Sequence, residues 1–467
     1  MKKRTAIKYL LSASVAGVLS GVCLNANASA FQLFEYNGVN AGNFGAGAAA
    51  SAIDASTAYS NPAGMVLIPD QQLVLSENAI ITDIKFQGSE TWSTNNNQVP
   101  LPLVPSNFSS TQTGTAQAGV TKFVPAFHYV TPLSDKWAFG LSLTSPYGLV
   151  TDYGNDSIVG YSGTETDLKT IDIAPSLAFK ATDKFSVGAG LDIEHLDAIL
   201  DGMVGAPYNA AALGYDNNAL NTQSVNEGDG WGYGWHAGLL YQLTPETRLG
   251  LAYHSQVHFL LKGTSKLEGP LANQGNINAP GVINNNDLKT NVTLPPSTEL
   301  SIHQVLNQQW SVDGSVIYTQ WNYFNNVLHV QNVQGVTQAS AVSPLQPATF
   351  TVNMPNYFRN TWRFAVGANY KPTQKWILRA GAGYDQSPVK EDYRGVRLPD
   401  ANRYALAVGA HYQALKTLGV DVGWTHLFIQ NARINLNAVS GTQVANTNGT
   451  YSNHGDIIGA QLTWDIA

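Results

Sequence analysis

From about residue 71 onward, apolar and polar side chains alternate with a period of two. Trp362, Phe364, Val366, Ala368 and Tyr370 alternate with Arg363, Ala365, Gly367 and Asn369; Trp376, Leu378, Ala380, Ala382 and Tyr384 alternate with Ile377, Arg379, Gly381, Gly383 and Asp385. Stretches 231–241, 404–412 and 458–466 follow the same rule. Such alternation gives each strand one apolar and one polar face. Within 376–384 the aromatics sit at both ends of the apolar face, with smaller residues between them. Eight steps of about 3.3 Å, tilted by about 40°, span roughly 20 Å, close to the apolar band of an outer-membrane barrel with its two aromatic girdles. A soluble sandwich requires neither that aromatic spacing nor so many small and polar residues on the opposite face.

Turn chemistry sets the strand count. Six connections are short and polar: 131–136, 180–184, 243–247, 306–309, 371–375 and 414–417. Seven are long and rich in Asn, Gly, Ser and Pro, near 87–117, 148–163, 202–228, 263–289, 325–357, 387–399 and 436–452. Short periplasmic turns and long external loops are the asymmetry of outer-membrane barrels. Together they join 14 strands. The predicted class is therefore all-β, a 14-stranded antiparallel transmembrane β-barrel.

Composition narrows the function. Only 12% of the 467 residues are charged, and 44% are hydrophobic. No run of about 18 apolar residues follows the N-terminus, so helical spans are excluded. Residues 1–28 have the form of a secretory signal, with basic Lys2, Lys3, Arg4 and Lys8, an apolar stretch, and Ala26-Asn27-Ala28 as the cleavage site. Its removal leaves 21 basic against 32 acidic residues, net −11, and takes away the only cysteine, Cys23. The exported chain is a poor nucleic-acid binder and has no thiolate chemistry.

Residues 29–70 differ from the rest. Gly, Ala and Ser dominate 40–60, yet Phe31, Leu33, Phe34, Tyr36, Phe44 and Ile53 are too apolar for a flexible linker. This stretch reads as a small packed element that needs an enclosing wall, a hatch, with the barrel occupying 71–467.

Catalytic signatures are absent: there is no HExxH, GxxxxGK[ST] or GxSxG. His254 and His258, four apart on a strand, stand about 13 Å from each other, too far to share an ion. Gly188-Ala189-Gly190 lacks a strand–turn–helix context and reads as lumen-facing strand glycine. No enzyme activity, metal or cofactor is expected.

The opening Ala30-Phe31-Gln32-Leu33-Phe34-Glu35, the run Asp54-Ala55-Ser56-Thr57-Ala58-Tyr59-Ser60-Asn61-Pro62-Ala63-Gly64-Met65, the stretch Gly230-Trp231-Gly232-Tyr233-Gly234-Trp235 and Asp385-Gln386-Ser387-Pro388-Val389 resemble the FadL/TodX family of outer-membrane hydrophobic-compound transporters. The resemblance spans essentially the whole mature chain. It implies a barrel plugged by the N-terminal hatch, an external apolar groove, an interior pocket beside the hatch, and lateral release through a gap at an inward kink of the third strand. It also implies long-chain fatty acids or other hydrophobes as ligands, with outer-membrane lipid around the barrel.

By that resemblance Phe31, Glu35, Asp54, Asn61, Pro62 and Ala63 belong to the hatch and its gating. Arg363, Arg379 and Arg403 are the lumen arginines, expected to hold the hatch through Glu35 and Asp54. Ser145, Pro146, Tyr147 and Gly148 form the lateral-opening strand, where Pro cannot donate a ladder bond and Gly tolerates unusual dihedrals. Leu200, Gly202, Leu328 and His329 are pocket candidates; Met203, Val204, Tyr208 and Leu213 are external-groove candidates. Because the segments around Leu200 and Leu328 offer no Arg or Lys, neutral hydrophobes are expected to bind at least as well as fatty-acid anions. A surface-interaction or adhesin-type barrel with a permanently sealed lumen is the alternative reading. Physical chemistry favours lateral release independently, since a solute gains about 0.8 kcal/mol per CH₂ moved from water to apolar surroundings.

Overall fold

The computed structural model describes residues 30–94, 108–212, 214–337, 344–440 and 443–466; the expected signal segment lies outside them. The barrel opens with β1 (Gln71–Thr94), β2 (Ser109–Gln117 and Thr121–Pro132) and β3 (Trp137–Thr144 and Gly148–Asp152). It continues with β4 (Glu165–Lys180), β5 (Phe185–Leu200, extended by Gly202–Val204), β6 (Thr222–Thr244) and β7 (Thr247–His254 and Val257–Gly269). The second half comprises β8 (Gly281–Leu294 and Ser297–Val305), β9 (Trp310–Thr319 and Val327–Thr337), β10 (Gln346–Pro355 and Thr361–Tyr370) and β11 (Trp376–Asp385). It ends with β12 (Arg403–Leu415), β13 (Leu418–Ile429 and Ala432–Ser440) and β14 (Gln443–Ile466). Neighbours pair antiparallel, and β1 pairs with β14 from Gln71↔Ile466 to Thr94↔Gln443, closing a 14-stranded barrel. Closure leaves no free edge strand, the requirement that lipid imposes on a sheet, apart from one local break between β2 and β3.

Alternation sorts the side chains as expected. On β10, Trp362, Phe364 and Val366 are exposed, while Arg363 and Ala365 are buried inside. Cross-strand aromatic pairs mark both girdles. Trp310 faces Tyr370 at 4.6 Å and Trp376 faces Tyr412 at 4.7 Å on the short-turn side; Tyr318–Trp362 (4.6 Å) and Tyr384–Tyr404 (5.1 Å) lie on the other. Directly opposed aromatics of this kind also stabilise the pairing.

The six short turns fall where the polar spacing puts them. The long connections are shorter than expected, because the strands run on. β1 and β14 each have 24 residues, about 80 Å at 3.3 Å per residue, far beyond a ~25 Å apolar band. Above the lipid both faces meet water or loops. The Asn/Ser/Thr-rich sequence there keeps its ladder bonds while losing its alternation. Among the described residues of the outer loops, Pro207–Ala212 forms a short α-helix.

Candidate functional site

Inside the barrel, residues 30–70 form three one-turn helices, α1 (Asn40–Asn43), α2 (Ala48–Ser51) and α3 (Thr57–Ser60), then a 3-10 turn Pro62–Leu67. Left-handed Phe44, Gly45, Gly47 and Ala52 reverse the chain between them. Small residues on both sides bring backbone against backbone. A Cβ on Gly250 of β7 would collide with the Ala49 carbonyl, and one on Gly381 of β11 with the Asn43 backbone.

Asn61 and Pro62 sit at the contact with the wall. The fully buried Asn61 amide donates to Ala49 O (2.6 Å) and to Leu239 O of β6 (3.0 Å), and its Oδ1 accepts from the Ala63 N–H (3.1 Å). Pro62 opens the 3-10 turn, where its missing N–H costs nothing. Ser186 of β5 donates to Ala63 O at 2.7 Å. Asp54 accepts from Ser56 (2.9 and 2.5 Å) and from Gln461 of β14 (2.8 Å), and Glu35 accepts from the Phe34 N–H (3.0 Å).

The three arginines are inward, but the hatch acids are not their partners, which corrects the expected pairing. Arg403 lies directly opposite Asp385 and donates to it through Nε (3.0 Å) and Nη2 (2.8 Å). Arg379 reaches across Gly409 of β12 to Asp421 of β13 (2.5 Å), whose other oxygen takes His411 Nδ1 (2.9 Å). Cross-strand neighbours are nearer than any hatch carboxylate, so the wall neutralises itself. Of these three, Arg363 is the one that bonds to the hatch. Its Nη2 donates to Phe44 O (2.8 Å), and its guanidinium lies 4.2 Å over Phe34 and 3.8 Å over Phe44. Its Nε and Nη1 have no hydrogen-bond partner.

The third strand breaks where Pro146 stands. Thr144 pairs with Asp172 and Gly148 with Lys169, so Ser145, Pro146 and Tyr147 face only two residues of β4. That surplus residue is a β-bulge, which bends the strand. On the other side the β2–β3 ladder ends at Phe127↔Leu143; beyond it the ladder of Thr121–Ala126 is with β1 and that of Gly148–Asp152 with β4, until the Asp152 N–H reaches Ala118 O (3.4 Å). The N-terminal segment takes up the freed groups from inside. The Leu33 N–H donates to Pro146 O (2.8 Å), and the Gly148 N–H to Phe31 O (2.9 Å). Phe31 then plugs into an aromatic nest of Trp321 (4.9 Å), Phe324 (5.7 Å) and Tyr147 (6.0 Å).

A cavity of about 990 Å³ adjoins this break. Its lining joins interior Arg363, Arg403 and Asp400 to Val124, Leu149 and the outward-facing Leu143 beside the gap. Asp400, in the loop after β11, was not anticipated. It accepts from the Ala30 N–H (3.0 Å) and Ser387 (2.6 Å), and burial pushes its carboxyl up to about 6. Arg397 in the same loop was missed as well. It donates to Glu165 O (2.8 Å), Thr166 (3.0 Å) and Asp201 O (2.5 Å), fastening the loop onto β4 and β5.

The pocket candidates do not line this cavity. Leu200 and Leu328 pack into the apolar cluster around Phe31 and Trp321. Gly202 lies against Arg397. His329 is exposed and bonded to Asn353 (2.6 Å), since alternation turns its neighbours Leu328 and Val330 inward instead. The expected preference for neutral ligands rested on these segments, and the cavity itself contains arginine. Of the groove candidates, Val204 packs with Ala210, Leu220 and Leu271, and the Met203 N–H donates to Gly160 O (2.8 Å). Tyr208 belongs to the Pro207–Ala212 turn, but its side chain, like Leu213, lies outside the described residues.

Residues 19–466 match the family described as outer membrane protein transport protein (OMPP1/FadL/TodX). The chain is 28% identical to the long-chain fatty acid transport protein of Escherichia coli (strain K12) over 447 residues, covering 90% of this chain and 93% of that one. It is 30% identical to the 47 kDa outer membrane protein of Pasteurella multocida (strain Pm70) over 441 residues, 91% and 93% of the two chains. A Pseudomonas aeruginosa FadL homologue of solved structure superimposes with a TM-score of 0.77 at 26% identity, over 94% of this chain and 100% of that one. The Pseudomonas putida toluene transporter TodX shares the fold at 18% identity, with a TM-score of 0.65 over 94% and 100% of the two chains.

Proposed function

Because the chain belongs to the OMPP1/FadL/TodX family of outer-membrane transport proteins, which are not enzymes, we propose that it passes hydrophobic molecules sideways from the interior cavity into the lipid, through the gap between β2 and β3. The observation that carries this reading is the continuity of the 990 Å³ cavity from Arg363 to the outward face beside the break. An apolar solute following that route never crosses a water-filled pore, so its transfer runs down the hydrophobic gradient. Relatives named for long-chain fatty acids and for toluene bracket the ligand class. Arg363 favours the anionic end of that range, because it borders the cavity and, among the described residues, forms no ion pair with a carboxylate. The sealed-barrel alternative accounts for neither the unpaired strand edges nor the cavity that reaches them.

Competition on purified protein between oleate and a neutral alcohol of similar length tests the ligand. Oleate is expected to bind at least about tenfold more tightly, a difference of about 1.4 kcal/mol, and Arg363→Met to erase that preference. Equal affinity in the wild type, or a preference that survives Arg363→Met, overturns the carboxylate assignment.

A further inference from the structure

Behind the kink, four adjacent strands turn a second set of polar side chains inward: Asp172 of β4, Asp192 and Glu194 of β5, His236 of β6 and His254 of β7. Register brings them together, with Asp172 opposite Glu194 and His236 opposite His254. Asp192 and Glu194 stand opposite Gly234 and Gly232. Asp172, Asp192, Glu194 and His236 are buried. Among the described residues, no Lys or Arg forms an ion pair with the three carboxylates; the sole pairing is Asp192 Oδ1 with His236 Nδ1 at 2.6 Å.

That pairing sets Asp192 Oδ1 and His236 Nδ1 side by side as two ligand atoms, and an ion that binds between them takes the place of the shared proton. Nε2 of His236 is fully buried and has no partner; Asp172 Oδ1 and Glu194 Oε1 are likewise buried and unpartnered. The His254 ring stacks on His236 (5.3 Å between centroids, 18° between planes) and is backed by Tyr59 of the hatch (4.7 Å). Donor atoms of Asp192, His236 and His254 all lie within 4.8 Å of one another. A small cavity of about 60 Å³ adjoins them, and Asp172, Asp192, Glu194 and His254 are on its border.

We propose that Asp192, His236 and His254 bind a divalent transition-metal ion of zinc type. Two imidazoles and a carboxylate suit Zn²⁺ and leave a fourth position for water or for a neighbouring carboxylate. The ion supplies the positive charge that three buried carboxylates otherwise lack. It ties β5, β6 and β7 together behind Pro146 and Tyr147, which also border the cavity.

Tag-free protein in detergent, stripped with chelator, is titrated with Zn²⁺ alone by calorimetry, and its metal content is measured after gel filtration. The expected result is one Zn²⁺ per chain and a raised Tm. His254→Gln and Asp192→Asn are expected each to weaken binding by about tenfold or more, whereas His258→Gln, at an exposed histidine bonded to Thr293, leaves it unchanged. Folding of each variant is read from heat-modifiable gel mobility. Should Asp192→Asn misfold, the partly exposed His254→Gln decides. Substoichiometric zinc in the wild type, or binding indifferent to His254→Gln, overturns the proposal and leaves a cluster of protonated carboxyls.

Discussion

Two parts of the same wall obey the same alternation and differ in a single residue. From β10 to β13 the register advances without interruption through the membrane. β11 pairs with β12 from Trp376↔Tyr412 to Asp385↔Arg403, and buried Arg379 and half-buried Arg403 meet carboxylates of the wall. From β2 to β4 the outward face is just as apolar, with Leu143, Ile171 and Leu177 exposed. There, however, β3 carries one residue more than β4 can pair. The bulge turns the strand inward, β2 loses its neighbour, and the N-terminus hydrogen-bonds to the kink instead. The contrast teaches that a break in the strand ladder follows from a count of residues, with the outward face just as apolar.

The closed side is expected to respond in stability alone. Arg379→Met strands Asp421, with only His411 beside it, and is expected to cost about 3 kcal/mol. Calorimetric unfolding measures that loss, while uptake per folded molecule stays at the wild-type level. An equal fall in uptake would erase the distinction between the two sides.

The open side is expected to respond in transport. Deleting Pro146 brings β3 back into step with β4, so that Ser145 and Tyr147 alone face two residues and the strand can pair onward with β2. Uptake of labelled oleate into liposomes containing the protein is expected to fall about tenfold or more with the barrel still folded. Wild-type uptake by this variant would place the path elsewhere.

The smallest effect concerns how the N-terminus is seated. Burial raises the Asp400 carboxyl to about 6, above its value of about 3.9 in a released, solvated state. The seated form therefore binds the proton more tightly, and its stability is highest at low pH and falls as pH rises through about 6. Amide exchange at residues 30–34, corrected for its intrinsic pH dependence, is expected to be slower at pH 5 than at pH 7.5. Asp400→Asn should abolish the difference; a difference retained in that variant would assign it to another group.

The barrel was legible because its determinants are local. Period-two alternation and polar turns such as 371–375 need no knowledge of neighbours, and Trp376 with Tyr384 fixes the height of the lipid band. The Ser145–Gly148 kink was expected mainly from the resemblance, with Pro146 and Gly148 as the residues that permit it. What failed depends on register. The partners of Arg379 and Arg403, Asp421 and Asp385, stand 42 and 18 residues away in sequence on other strands, and the chain order suggested the hatch instead. His329 was set in the pocket by segment, where a shift of one residue sends a side chain to the other face. His254 was compared with His258 along its own strand, although its neighbour in space is His236, on the strand before it.

The central claim is that molecules leave through the gap between β2 and β3. Val124 of β2 and Leu149 of β3 line the cavity from its two unpaired edges. Cysteines at both positions, joined by a short thiol-reversible cross-linker in a chain whose signal-segment Cys23 has been removed, would clamp those edges together. The account predicts that cross-linking stops oleate uptake and that reduction restores it, with neither single-cysteine variant affected. Uptake that continues at the wild-type rate with the clamp closed would contradict lateral release.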